Sequence, residues 1–236
     1  LAIWDQGGIA TPDSPFGYGR VYEQNEINEA LQTNDPYSHL GYGPSQDTSG
    51  THGTHVMDIA GGNGNGSSTP GVAPNADLIF VHIESSDIDW SGPDVTKTTF
   101  GDSVHLLEAA KFIFDRAGDR PCVINISLAT NGGPHDGTSL VEQGLDILLN
   151  EAPNRSIVIA ASNSFDDKIH TSGTVSTDSA VDLIWEVQQN DFTHNELEVW
   201  YSGNDVFELD LILPDGTSIG TVPLGTNASF ENDTGR

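Results

Sequence analysis

The chain has 236 residues, of which 36% are hydrophobic, with 35 acidic against 8 basic side chains and a net charge of −27. That length suits one large α/β domain or two small ones. The charge excludes nucleic acid and anionic membrane surfaces as partners, because binding phosphate needs basic patches. It suits a secreted protein, a high-salt protein or one that binds calcium.

Cys122 is single, so no internal disulfide forms, and its place in an apolar run predicts a buried small hydrophobe. No stretch is long enough in apolar residues to span a membrane. No signal peptide is visible, and the chain opens on strand-like Leu1 to Trp4, so a start within a longer polypeptide is expected.

That first strand ends at Asp5, and the C-terminal end of a buried strand is where α/β folds place chemistry. Residues 11–25 carry Pro12, Pro15, Gly17 and Gly19 and read as loop. Glu26 to Leu31 reads as a short helical turn, and residues 33–50 as turn-rich. Thr51 to Gly62 then holds two histidines three apart, His52 and His55, before the apolar residues Val56, Met57, Ile59 and Ala60. On a helix the two histidines share a face. Taken locally, they could be half of a zinc site, a catalytic histidine with a neighbour, or two ordinary polar residues.

A turn at Gly71 to Pro74 leads into an apolar strand, Asp77 to Ile83. Asp102 to Ala117 has helical spacing through Val104, Leu107, Ala110 and Phe114, with His105 read as structural. Pro121 to Leu128 is a strand with little alternation, as in a buried parallel sheet. Gly137 to Leu149 is the next helix, where Ser139 and Glu142 have capping-box spacing. Ser156 to Ala161 is a further strand, ending at Ser162 and Asn163. The alternation predicts an α/β fold, a mostly parallel sheet with helices on both faces.

After residue 165 the texture changes. Asp182 to Gln188, Glu196 to Tyr201, Val206 to Leu213 and Ser218 to Leu224 alternate as strands, and Pro214-Asp215-Gly216 is a hairpin turn. Residues 166–236 are therefore expected to form an all-β, sandwich-like region after an α/β domain over 1–165. Asp205, Glu208, Asp210 and Asp215 cluster around one strand and its turn. A solvated face explains them better than calcium does.

Asp5, His52 and Asn163 have the chemistry of acyl transfer. A carboxylate orients a histidine and stabilises its charged form. The histidine serves as base and acid. An amide donates to a developing oxyanion, an interaction of about 3–4 kcal/mol.

The chain resembles the subtilisin-like serine proteases. The stretches that carry this are Ala2-Ile3-Trp4-Asp5-Gln6-Gly7, His52-Gly53-Thr54-His55-Val56, Gly71-Val72-Ala73-Pro74-Asn75-Ala76, Asn125-Ile126-Ser127-Leu128 and Ile159-Ala160-Ala161-Ser162-Asn163, in the family's order. The resemblance covers residues 1–163. It implies a peptide-bond hydrolase with Asp5 as orienting acid, His52 as general base and Asn163 as oxyanion donor. It makes His55 structural and displaces the zinc reading. It implies that Phe100-Gly101 and Ser127-Leu128-Ala129 flank a bound polypeptide substrate as added strands. It implies that Ala161 and Ser162 take part in binding the substrate. No cofactor is implied for catalysis. Structural calcium is expected from the family, with site residues that the sequence does not identify, and so is secretion.

Three positions depart from the family: Gln6 follows the acid in place of Ser or Thr, and Ala129 and Ser162 stand where glycines border the pocket for the residue before the scissile bond. The two added side chains predict a narrowed pocket and a preference for small residues. The nucleophile motif Gly-Thr-Ser-Met-Ala-x-Pro does not follow Asn163. Gly137-Thr138-Ser139-Leu140 is rejected as its substitute, because it precedes Asn163 and lacks the Ala and Pro. The nucleophilic serine is expected beyond Arg236, with the β-rich region inserted before it, and the chain by itself is expected to be inactive. The competing functions are a peptide-binding pseudoprotease without the nucleophile and a transpeptidase or macrocyclase of the same family.

Overall fold

The computed structural model describes residues 1–42, 52–66, 68–83, 103–128, 131–187 and 195–228. The chain divides into two compact units, Leu1–Glu196 and Leu197–Arg236.

In the first unit, β1 (Ala2–Asp5) alternates strictly, burying Ala2 and Trp4 and leaving Ile3 and Asp5 half-exposed. Trp4 is completely buried. Its ring packs on Phe16, Tyr18 and Phe112 at centroid distances of 5.8, 5.3 and 5.1 Å. β2 (Arg20–Glu23) runs antiparallel beside β1, and β3 (Ile79–His82) runs parallel on its other side. The strand β2 corrects the reading of residues 11–25 as loop: Val21 and Tyr22 are strand formers that the preceding Pro and Gly residues masked.

Helix α1 (Gln24–Ala30) opens on a capping box between Glu23 and Glu26. Helix α2 (Pro36–Leu40), within a stretch read as turns, starts where Asp35 Oδ1 accepts from Ser38 N at 3.1 Å, with Pro36 at the first helical position. Helix α3 (His52–Gly61) follows.

Helix α4 (Ser103–Ala117) organises the core by serving both sheets of this unit. Ala109 and Phe112 pack with Trp4, Val81 and Ile83 against the β2–β1–β3 sheet. Ala110 and Phe114 pack with Ile124, Ile126, Leu145 and Leu148 against the second sheet. That sheet is the parallel pair β4 (Cys122–Ile126) and β5 (Arg155–Ile159), joined through α5 (Leu140–Asn150). Ile124 and Ile126 face the helices, whereas Val123 and Val158 on the opposite face are 70% and 52% exposed.

Arg155 ties α5 to β5. Its guanidinium lies 4.5 Å from the Phe114 ring centroid and donates to the Leu148 carbonyl at 2.6 Å, an acceptor left over by the last turn of α5. Cys122 is half-buried, and burial raises its thiol above the ordinary range, against the opposing charges of Arg155 and Arg120.

The second unit holds an antiparallel hairpin, β6 (Glu208–Ile212) and β7 (Ser218–Pro223), with a register irregularity between Asp210 and Ile212. Leu213 N donates to Thr217 O and Gly216 N to Leu213 O, both at 2.8 Å, closing the turn over Pro214-Asp215-Gly216. The structure forms no strand over the described residues of 182–188, nor over 196–201. Alternation selects the face that a strand would bury, but a strand forms only where a partner supplies its hydrogen bonds. The all-β sandwich is thus represented by one hairpin among the described residues.

Candidate active site

Asp5 ends β1, and its side chain is only 14% exposed. The parallel register places Asp5 opposite His82, the last residue of β3. Paired residues in adjacent strands point to the same face, and here Asp5 Oδ1 lies 3.2 Å from His82 Nδ1. The next residue continues the ladder, with Gln6 N donating to His82 O at 3.0 Å. The negative charge of Asp5 is felt around it. Burial first, and then this carboxylate, raise the Tyr42 hydroxyl above its ordinary range. Tyr22 is also raised, mainly by burial, with Arg20 opposing and Asp5 adding to the shift.

Gln6, the residue that departs from the family pattern, is buried, and its Nε2 donates to the His105 carbonyl at 2.9 Å. A longer amide side chain here reaches α4. His105 itself packs on the Tyr18 ring at 5.2 Å, in the structural role read for it.

His52 opens α3, and its neighbours explain the motif around it. A side chain at Gly53 would come within 2.9 Å of Phe80 on β3, so glycine lets the helix start seat closely against the sheet next to β1. Gly71-Val72-Ala73 closes the other end of the same helix. Val72 N donates to Ile59 O at 2.9 Å and Ala73 N to Ala60 O at 2.8 Å, satisfying carbonyls that a helix end leaves open. A Cβ at Gly71 would lie 2.5 Å from the Asp58 carbonyl oxygen, so this contact needs glycine. The two most distinctive motifs therefore fix one helix.

No hydrogen bond or ion pair joins His52 to Asp5; the imidazole in contact with Asp5 is that of His82. His52 and His55 are both exposed. Among the described residues the His55 side chain makes no hydrogen bond. Among those residues no group of three or more His, Cys, Asp or Glu is placed to hold a metal ion. In the acidic cluster, Asp210 Oδ1 accepts from Ser218 Oγ at 2.7 Å and Asp215 Oδ1 from Thr217 N at 2.9 Å, which are turn and hairpin interactions.

The structure brings two other predicted segments together. Ala160 N donates to Ile126 O at 3.0 Å, tying the residue just past β5 to the last residue of β4. Ala161–Asn163 continue the chain from β5, and Ser127 and Leu128 continue it from β4. Asn125 Nδ2 donates to Ser127 Oγ at 2.9 Å, holding that segment's first residue. Ala161, Ser162 and Asn163 are exposed. Phe100, Gly101 and Ala129 lie outside the described residues. Ser162 has φ 72, in the left-handed region. The glycine that relatives carry here would meet this conformation without strain, whereas a residue with a Cβ costs about 1–2 kcal/mol.

Ser139 is engaged as a helix cap. Its Oγ accepts from Glu142 N at 3.3 Å and donates to Glu142 Oε2 at 2.7 Å. Hydrogen bonds from the Ser139 hydroxyl and backbone lower the Glu142 carboxyl below its ordinary range. Ser139→Ala is expected to cost about 1 kcal/mol in thermal or urea unfolding near neutral pH and to leave hydrolytic activity of the full-length protein unchanged. Because the folded-state value of Glu142 is depressed, its share of the cap is present above the ordinary glutamate pKa and fades as acid protonates it.

The sequence reading missed His82. The reasoning that singled out Asp5, a polar side chain at the C-terminal end of a buried strand, applies equally to His82 at the end of β3.

Among curated proteins, none matches this chain. Among solved structures, the chain is similar to the CspB protease of Clostridium perfringens, with 30% identity and a TM-score of 0.65 over 88% of this chain. It spans 42% of that chain's length. The model of the subtilase family, peptidase S8, matches residues 3–207. With that match over most of its length, the chain belongs to the subtilase family.

Proposed function

We propose that this chain is part of a secreted serine endopeptidase, with Asp5 orienting His52, His52 acting as general base and acid, and Asn163 donating to the oxyanion. The nucleophile is a serine C-terminal to Arg236 in the full-length protein. His52 takes the proton of that serine as the hydroxyl attacks the peptide carbonyl. It returns the proton to the departing amine, and water then hydrolyses the acyl-enzyme by the same steps reversed.

The observation that supports this best is the family membership of a chain whose Asp5, His52 and Asn163 stand in the family's order at a strand end, a helix start and the segment after a strand. Polypeptide is the substrate that such an enzyme takes. It would lie along residues 100–101 and 127–129 as an added strand, as the family resemblance implies. Calcium has no step in this mechanism.

A fluorophosphonate probe tests the reading. The full-length protein should be labelled on one serine downstream of Arg236, and His52→Ala should abolish labelling. An unlabelled full-length protein that still binds peptide would overturn the protease reading in favour of a pseudoprotease. Ligated rather than hydrolysed product would mark a transpeptidase.

Ser162 is proposed to narrow the pocket for the residue before the scissile bond. Ser162→Gly is expected to raise kcat/KM for substrates with a large aromatic residue there by about tenfold or more relative to alanine. The same change should stabilise the fold by about 1 kcal/mol through release of the left-handed strain. A substrate panel in which the native protein already prefers large aromatic residues would refute the narrowing.

A further inference from the structure

We propose that His82 is a positioning residue for Asp5: it holds one carboxylate oxygen so that the other is presented to His52. The inference rests on the protease reading above and extends it to a residue outside the triad. The parallel register puts His82 directly opposite Asp5 on the neighbouring strand, and Nδ1 is 3.2 Å from Oδ1. The backbone bond from Gln6 N to His82 O, at 3.0 Å, locks this register one residue further on.

On the other side of β1, Arg20 is the register partner of Asp5, yet its guanidinium is engaged elsewhere. It lies 4.6 Å from the Tyr22 ring centroid and 3.6 Å from Glu26 Oε1. Of the two basic residues that flank Asp5, His82 is the one the carboxylate contacts. The His82 ring is itself positioned. Tyr42 packs against it edge-on, with 6.3 Å between centroids and an 83° interplanar angle, and Tyr22 packs against Tyr42 at 5.4 Å.

A carboxylate at a strand end rotates about its last side-chain bond unless one oxygen is fixed. A donor on Oδ1 fixes the plane. Oδ2 then has one direction in which to accept from an imidazole N–H. The ring nitrogen that carries the proton on a neutral histidine is set by the bond it makes. Donation to Asp5 needs a proton on His82 Nδ1, which the Nε2–H tautomer favoured by a solvated imidazole lacks.

The test uses the full-length protein with His82→Leu and His82→Asn. Leucine removes the donor, whereas the asparagine amide places an N–H close to the position of Nδ1. His82→Leu is expected to lower kcat by about ten- to a hundredfold through misplacement of Asp5, with KM within about twofold. His82→Asn should restore kcat to within about threefold of the native value.

In protein labelled with ¹⁵N-histidine, long-range ¹H–¹⁵N spectra at neutral pH should show His82 protonated on Nδ1, and Asp5→Ala, which leaves no acceptor there, should change that pattern. This measurement needs no activity and no folded His82 variant. Native kcat in the leucine variant overturns the proposal, as does an Nε2–H pattern for His82 that Asp5→Ala does not alter. If the native protein neither hydrolyses peptide nor takes the fluorophosphonate, the protease reading fails, and the catalytic use of the pair fails with it. An active native protein lacking the Nδ1–H signature removes only the assignment of His82.

Discussion

His52→Ala or Asp5→Asn in the full-length protein is expected to lower kcat on a peptide substrate by about ten-thousandfold, with KM within about threefold. Removing the imidazole leaves the nucleophilic hydroxyl without a proton acceptor. Replacing the carboxylate by an amide leaves the imidazole in place but reverses one hydrogen bond, so that the ring is held in the wrong tautomer. The acidity of Asp5 matters more than its volume, because asparagine has nearly the same shape. The double variant should be little worse than His52→Ala alone, since the two residues act as a unit.

Steady-state kinetics together with far-ultraviolet circular dichroism of each variant check this result. A loss of less than about tenfold in both single variants would show that the chemistry does not pass through them. Asp5→Asn keeps an acceptor oxygen for His82 Nδ1, and its unfolding midpoint should be recorded beside its kcat.

Trp4→Ala is expected to destabilise the first unit by about 3–5 kcal/mol, which for a chain of this size lowers the unfolding midpoint by about 10 °C. Trp4 is completely buried and packs on Phe16, Tyr18 and Phe112, joining β1 to the segment before β2 and to α4. Its removal opens a cavity where three elements meet, one residue from Asp5. Its indole N–H finds no acceptor among the described residues. Trp4→Phe should therefore cost much less than Trp4→Ala, because it keeps most of the apolar contact and removes an unsatisfied donor. Thermal unfolding of the two variants side by side decides it. Equal losses would show that ring size, and not the cavity alone, sets the cost.

Much of the fold was legible where the determining interactions are short-range. The helix over Ser103–Ala117 follows from apolar spacing, and that over Leu140–Asn150 from the Ser139 and Glu142 pair, which forms the expected cap. The hairpin around Pro214-Asp215-Gly216 follows from its turn residues. The short strand Arg20–Glu23 was hidden because the Pro and Gly residues before it dominate any local reading, whereas its pairing with β1 is a distant contact. Asp182–Gln188 and Glu196–Tyr201 show the opposite error: their alternation is real, but the described residues of these stretches form no ladder.

At the candidate site, the sequence by itself determined the family and the motifs: the glycines beside His52, the Gly71 segment that closes its helix, and the strand ends at Asp5 and before Asn163. These are encoded in steric and capping requirements that act over a few residues. Only the tertiary structure decided that Gly53 seats α3 against Phe80, that Ser162 takes a left-handed conformation, and that the carboxylate of Asp5 meets His82. Each of these depends on the register or approach of elements distant in the chain. The β1–β3 register and the seat of α3 on Phe80 are long-range contacts that no local pattern of residues specifies.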